Sequence, residues 1–444
     1  MNQMSKHALS RRQFLGLMGA STTVVALAAC APVASPTSDG GAAPAAEGVT
    51  LSHWQHHSAG RAAAVEEFKA QFEAANADAT IDFQSIPWAD YWGKLASGVA
   101  AGAGSAPDIF QIPMGLVEEY IAGGNIIPVS DLVISSTEIE ESYLPWTVQR
   151  GKQGSDYYGL PLDVQTLVMY RNNALYEEAG LDVTAPYVDH ADLMEQAMAL
   201  TKKTDGLTDQ VGCNTGYYSA WQTILYQQYL QREENGTMWV DEATNQLVWQ
   251  DYPAILETFK WFCTLSGEAD DDSFLAGQSR FALGKVGMEI GHPVSRGGLQ
   301  AQAPDLEYTI VPFAPRSDGQ ENYTGGSHWM WVVGQWAADN SEAAWNWVHF
   351  CTNEEAQVTW NDVAGDLPSF KGLSSDERFR ADANAVVCMD SLEYATPWEW
   401  VGWAEWVKET GDARDRVVIG GETPEGSFDI MVENLNKVIA DHTV

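Results

Sequence analysis

The chain has 444 residues, of which 61 are acidic and 24 basic, giving a net charge of −37. So acidic a surface repels nucleic acid and anionic lipid head groups, and neither is expected as a partner. A chain of this length with 45% hydrophobic residues exceeds what one growing core holds, so two lobes are expected.

The first element in chain order is an address. Lys6, Arg11 and Arg12 precede an apolar run broken by small residues, which ends at Ala28-Ala29-Cys30. That is the layout of a cleaved export signal, too short and too rich in Gly and Ala for a membrane span. Arg11-Arg12 followed by Phe14-Leu15 resembles the twin-arginine export signal, and Leu27 to Cys30 resembles the bacterial lipobox, whose cysteine is lipidated. An ordinary secretory signal with an incidental Cys30 is the alternative. The head holds none of the acids, so the remainder carries 61 acidic against 21 basic residues, a net charge of −40. Residues 1–29 are expected to be the signal, and 30–47 the lipidated cysteine and a tether. The stretch APVASPTSDGGAAPAAEG has almost no apolar bulk to bury and stays flexible. The expected location is the outer face of the cell membrane, by a lipid anchor.

From residue 48 the pattern alternates. GVTLSHW (48–54) reads as a strand, 62–76 as a helix with Val65, Phe68 and Phe72 on one face, 79–87 as a strand, 90–102 as a helix and 106–113 as a strand. This alternation predicts an α/β sheet of parallel strands. Residues 159–172 read as a strand, and helices are expected near 189–203, 218–233 and 252–264. Strands are expected at 285–291, 308–314 and 328–334, and the last 60 residues read as mainly helical. No run of 18 apolar residues follows Cys30. Cys213, Cys263, Cys351 and Cys388 are widely spaced without a CxxC, which argues against a zinc site; Cys263 and Cys351 fit buried free thiols, and a Cys213–Cys388 pair stays open.

Six local signatures in this order resemble one family. They are AAGAGSAPDIF, YYGLPLDVQTLVMYRNNALYEEAGL, FALGKVGMEIG, YTGGSHWMWVVGQWAADNSEAAWNWVHFCTNEEAQ, GDLPSF and GETPEGSFDIMVENLNKVI. The family is the extracellular solute-binding proteins of ABC importers, family 1, which are maltose-binding-like. The resemblance implies a two-lobed α/β periplasmic-binding-protein fold of type II, with a cleft between lobes joined by crossing hinge strands. It implies an N-terminal lobe of 48–158 plus 311–363 and a C-terminal lobe of 159–310 plus 364–444. It implies a sugar ligand, a membrane permease as partner, a monomer, no cofactor and no chemistry of its own. His292, where the family has an aromatic, and the cluster His53, His56, His57 depart from the pattern.

A pyranose presents flat C–H faces to aromatic rings and a rim of hydroxyls to carboxylates, amides and Arg. Strand ends and loops are where α/β clefts collect such groups. The candidates are Trp54, Gln55 and His56 after the first strand, Gln111 at the end of the third, and Asp163 and Gln165 past the first crossing. Trp221 in GCNTGYYSAWQ, beside Tyr217 and Tyr218, is another. His292 at a strand end, Gly325 and Gly326 where backbone approaches ligand, Trp329 after them and Trp398 after Pro397 complete the set. Trp88 and Trp400 are weaker candidates. Trp261, Trp336, Trp345, Trp347, Trp360, Trp403 and Trp406 read as core.

The sequence carries no GxSxG, HExxH, P-loop or GxGxxG, although Asp163 with Glu289 leaves a secreted carbohydrate-active enzyme open. A surface adhesin and a receptor for polyols or glycerol phosphate are further alternatives, the last served by Arg61, Arg296 or Arg316. The acidic run Glu268, Asp270, Asp271, Asp272 lacks the spacing of a calcium loop and reads as a solvated helix end.

Overall fold

A computed structural model describes residues 48–216, 240–241, 243–397 and 402–442. Trp221, Trp398 and Cys30, and the helix expected near 218–233, lie outside the described residues.

In chain order the elements that build the site are β1 (Val49–His56), α1 (Ala59–Ala75), β2 (Ala79–Ile86), α2 (Trp88–Ala101) and β3 (Ile109–Pro113). Then come β4 (Leu160–Pro161), β5 (Val168–Asn172), α3 (His190–Leu200), β6 (Lys202–Thr204) and β7 (Leu207–Asn214). They are followed by α4 (Pro253–Ala269), β8 (Val286–Gly291), α5 (Ser295–Gln302), β9 (Tyr308–Val311), β10 (Thr324–Gly326) and β11 (Trp329–Val333). Last are α6 (Ser341–Thr352), α7 (Ala383–Tyr394), β12 (Ala395–Pro397), α8 (Trp403–Val418) and α9 (Pro424–His442).

Two five-stranded sheets result, ordered β2-β1-β3-β11-β4 and β9-β5-β8-β7-β6. In the first, β1 runs parallel to β2 and β3, as the alternation predicted. In the second sheet β7 and β8 are parallel as well, but the remaining pairs of the two sheets are antiparallel. β11 is antiparallel to β3 and β4, and β5 is antiparallel to β8 and β9. The reason is topological: β11 and β5, one of which belongs to each of these antiparallel pairs, are reached by connections that pass between the sheets, not by a right-handed crossover helix within one sheet.

The pleat decides which side chains fill which layer. On one face of the first sheet, Leu51, Ile81, Ile109, Trp331 and Val333 pack against Val65, Phe68 and Phe72 of α1 and Trp345, Trp347 and Val348 of α6. On the other, Trp54, Ile86, Phe110, Ile112, Met330 and Val332 meet Tyr91 and Leu95 of α2. The second sheet has its own core, with Met169, Met288 and Ile290 against Leu193 of α3, Phe259 and Phe262 of α4 and Leu435 of α9. Trp345, Trp347, Trp360 and Trp406 are fully buried, as read. Trp261 stacks on His190 at 4.1 Å and Trp336 on Phe110 at 6.0 Å. The four cysteines from Cys213 onward are buried free thiols, so Cys213 and Cys388 do not pair.

Three segments pass between the sheets. The stretch from Pro161 to Val168 leaves β4 for β5, the stretch from Val311 to Trp329 leads from β9 to β11, and the stretch near Asp366 leads back toward α7. They are tied side by side. The Val164 amide donates to the Leu367 carbonyl at 2.8 Å, and Gln165 and Ser327 exchange amide–carbonyl bonds at 2.7 and 2.8 Å.

Candidate functional site

The crossing segments carry a buried charged cluster. Arg61, one turn into α1, donates through Nε to Asp366 Oδ2 at 2.9 Å and through Nη2 to Asp366 Oδ1 at 2.8 Å. The same Nη2 also donates to Asp163 Oδ2. Gln165 Nε2 bridges the two carboxylates at 2.7 Å to Asp163 and 2.6 Å to Asp366. The remaining Asp163 oxygen accepts the Trp329 amide at 2.9 Å. Burial pushes the Asp163 carboxyl up to about 7; Arg61 pulls it down, and the neighbouring Asp366 carboxylate pushes it up further.

Trp329 begins an aromatic wall. Its ring lies 4.5 Å from His56, 6.0 Å from Trp88 and 6.2 Å, stacked, from Trp92. Trp88 and Trp92 sit one turn apart at the start of α2, and Trp88 is 43% exposed, the only indole among the described residues to rank as an exposed large hydrophobic. An exposed indole edged by others is a surface that stacks on an apolar face. His56 closes the wall at the end of β1, its Nδ1 2.8 Å from Gln111 Oε1. Burial holds His56 neutral, its pKa lowered to about 3, and the positive charge of Arg61 adds to the shift. Arg61 is thus close to the wall as well as to the crossing segments.

The strands and crossing segments that carry these residues also hold polar groups without partners. Both ends of the Gln55 amide, Gln111 Nε2, Gln165 Oε1 and both ring nitrogens of His328 are buried with no hydrogen-bond partner among the described residues. Each such group costs ~1–3 kcal/mol. Buried polar atoms left unpaired in a functional cleft are what a ligand's hydroxyls would complete. The set holds donors and acceptors together, which matches a hydroxyl because it both gives and takes a hydrogen bond.

The structure brings together His56, Gln111, Asp163, Gln165 and Trp329 of the predicted residues, and Gln55 adjoins His56 on β1. His292 stands at the second-sheet side. Its Nδ1 is 2.7 Å from the Thr166 carbonyl, and burial lowers its pKa to about 4, with Arg61 and Asp366 close enough to act on it. Gly325 and Gly326 pair with Thr396 and Pro397. A Cβ at Gly326 would come within 2.9 Å of the Trp146 ring, so this glycine serves a close packing contact. Trp54 lies in the α2 layer, in the same cluster as Trp92. It is 8% exposed, with the Lys94 ammonium 4.0 Å above its ring. The pleat puts its neighbours Gln55 and His53 on the opposite face.

Arg61 and Asp366 lie 305 residues apart, and no local spacing joins them. Asp366 was signalled only by the GDLPSF resemblance, and Trp92 by its i+4 relation to Trp88. The other candidate carboxylates are engaged by their own chain. Glu289 accepts from Asn214 at 2.5 Å, Asp270 accepts the Thr215 amide at 2.6 Å and pairs with Arg280, and Asp272 pairs with Arg414. Burial raises the Glu289 carboxyl to about 7.

Comparisons with known proteins agree with this architecture. The profile of a family described as bacterial extracellular solute-binding proteins matches residues 67–386. A maltodextrin-binding protein of Bacillus subtilis is 23% identical over 398 residues, covering 86% of each chain. A putative binding protein of Brucella abortus is 23% identical over 369 residues, covering 81% of this chain and 86% of that one. Among solved structures, an ABC substrate-binding protein of Listeria monocytogenes in complex with cycloalternan superposes with a TM-score of 0.75 at 20% identity, over 88% of this chain and 99% of that one. The GacH receptor of Streptomyces glaucescens, solved unliganded and with acarbose, gives 0.73 at 19% identity, over 89% and 99%. At such identities the likeness speaks for a shared two-lobed fold.

Proposed function

Because this chain belongs to the bacterial extracellular solute-binding protein family, we propose that it captures a sugar or oligosaccharide for an ABC importer. The ligand lies at the junction of the two sheets and the loaded protein delivers it to the membrane permease. One observation carries this reading: the wall of Trp329, Trp88, Trp92 and His56 is tied to buried polar groups, Trp329 through its amide to Asp163 and His56 through its ring to the Gln111 amide. A ring face and a hydroxyl rim need those two surfaces side by side. The relatives titled as maltodextrin-binding and as holding cycloalternan, mannotriose or acarbose support the same class.

The ligand contacts in this reading are Gln55, His56, Gln111, Asp163, Gln165, His292 and Trp329, with Trp88 as an added platform. Trp221 and Trp398 remain candidates, with Gly325 and Gly326 as spacers. The lobes meet at the crossing segments. The first takes β1 to β4 and returns at β11, and the second takes β5 to β9 and the last three helices. The protein acts as a monomer, needs no cofactor and catalyses no reaction. It is exported by the N-terminal signal and held at the outer face of the membrane through lipidated Cys30.

A thermal-shift screen of the purified chain against mono- and oligosaccharides, polyols and glycerol phosphates tests the reading, since a ligand selective for the native state raises the melting temperature. A shift with one sugar series is expected. A shift with none, or release of reducing sugar by the protein, would overturn it.

A further inference from the structure

The charge balance at the crossing segments carries a conclusion about ligand class, one that rests on the sugar-capture reading above. Arg61 is a buried guanidinium at the aromatic wall, the group that ordinarily recruits phosphate or carboxylate. Here its fork is occupied. Asp366 takes Nε and Nη2 side-on, and Asp163 takes Nη2 as well. Two carboxylates face one cation, and Asp163 is itself joined to the Trp329 amide at the foot of the wall. Arg296 is turned toward Asp382 at 3.5 Å. The buried groups left without a hydrogen-bond partner, on Gln55, Gln111, Gln165 and His328, are uncharged side chains of both donor and acceptor type.

We infer that Asp366 sets the charge selectivity of this site: by occupying Arg61 it makes the cleft reject anionic sugars and accept uncharged, hydroxyl-rich ones. An anion arriving beside Trp329 meets an uncompensated carboxylate in a dry setting, where unit charges interact far more strongly than in water. A neutral sugar meets no such barrier. Asp366 reaches the ligand through the field and through Arg61, so it is a positioning and selectivity residue.

The test uses matched pairs: each neutral sugar that binds, and its C6-oxidised form, in which a CH2OH has become a carboxylate. Calorimetric titration at pH 8 is expected to show the purified wild-type chain preferring the neutral form by at least 100-fold. Asp366→Asn is expected to shrink that preference at least tenfold, whereas Asp382→Asn leaves it unchanged. If Asp366→Asn fails to fold, the wild-type preference is followed from pH 8 to pH 5.5, using sugars with carboxyls ionised throughout. Protonation of the site is then expected to weaken the rejection. Equal affinity of wild type for both forms, or a preference for the acid, would overturn the charge assignment while leaving sugar capture standing. Failure of every sugar, neutral or acidic, to bind would remove the sugar-capture reading and this inference with it.

Discussion

Replacing Arg61 with Met removes a cation that faces two fully buried carboxylates, Asp163 and Asp366. Methionine fills much of the same volume along α1, so the change isolates charge from packing. Breaking a buried pair by deleting one partner costs ~3–5 kcal/mol, because an uncompensated charge is left behind. The cost has a ceiling. A stranded carboxyl can take up a proton instead, at ~1.4 kcal/mol for each unit between its ordinary value and the ambient pH. At pH 8 that ceiling is ~6 kcal/mol and leaves the penalty in place. At pH 5 it falls to ~2 kcal/mol. The sign follows from linkage. A carboxyl whose folded value is raised binds more protons in the folded state than in the unfolded one, so stability rises as pH falls through that interval. Urea unfolding of wild type and Arg61→Met at both pH values measures this. The expected result is a deficit of ~3–5 kcal/mol at pH 8 that shrinks to ~1–2 kcal/mol at pH 5. The additional changes Asp163→Asn and Asp366→Asn should restore much of the loss. A variant as stable as wild type at pH 8, or a deficit that grows on acidification, would refute the account of the cluster.

Trp329→Ala should weaken sugar binding at least tenfold while the protein stays folded, because the ring is only half-buried and its worth lies in stacking; calorimetry and far-ultraviolet circular dichroism check the two halves. His190→Phe keeps a ring against Trp261 but removes a group whose pKa burial lowers to about 3 from an ordinary 6.5. The unfolded chain protonates this histidine below pH 6.5 and the folded chain does not. Wild type therefore loses stability on acidification relative to the variant, by at most ~1.4 kcal/mol per unit, and a pH-independent difference would contradict this. Gly60→Ala places a Cβ 2.8 Å from the Ala364 Cα and 2.9 Å from the Val363 carbonyl, both backbone atoms. A loss of ~1–3 kcal/mol in urea unfolding is expected, and a neutral result would mean that this contact yields.

The alternating strands and helices from Val49 to Pro113 were legible because each carries a clear period. The mixed direction of the sheets was not, since strand polarity depends on connections that local pattern does not encode. β7, Leu207–Asn214, escaped notice because its first half is polar and exposed, and only Gln210 to Asn214 are buried. At the site, Gln111, Asp163 and Gln165 were found by standing at strand ends and crossings. Trp54 and Gln55 are adjacent in sequence, yet the pleat sends one into the α2 layer and the other to the opposite face. Sequence names both and does not say which face each takes. Arg61 is one of three arginines that could serve a glycerol phosphate by sequence; that Asp366, distant along the chain, occupies it shows only in the fold. Pairings of that separation are products of the fold.

The most direct test of sugar capture at the sheet junction is calorimetric titration of the purified chain with neutral oligosaccharides, run in parallel on Trp329→Ala. The account predicts one sugar bound per chain and at least a tenfold weaker affinity in the variant. Sugar binding that is unchanged in the variant, or no binding of any sugar to wild type, would contradict it.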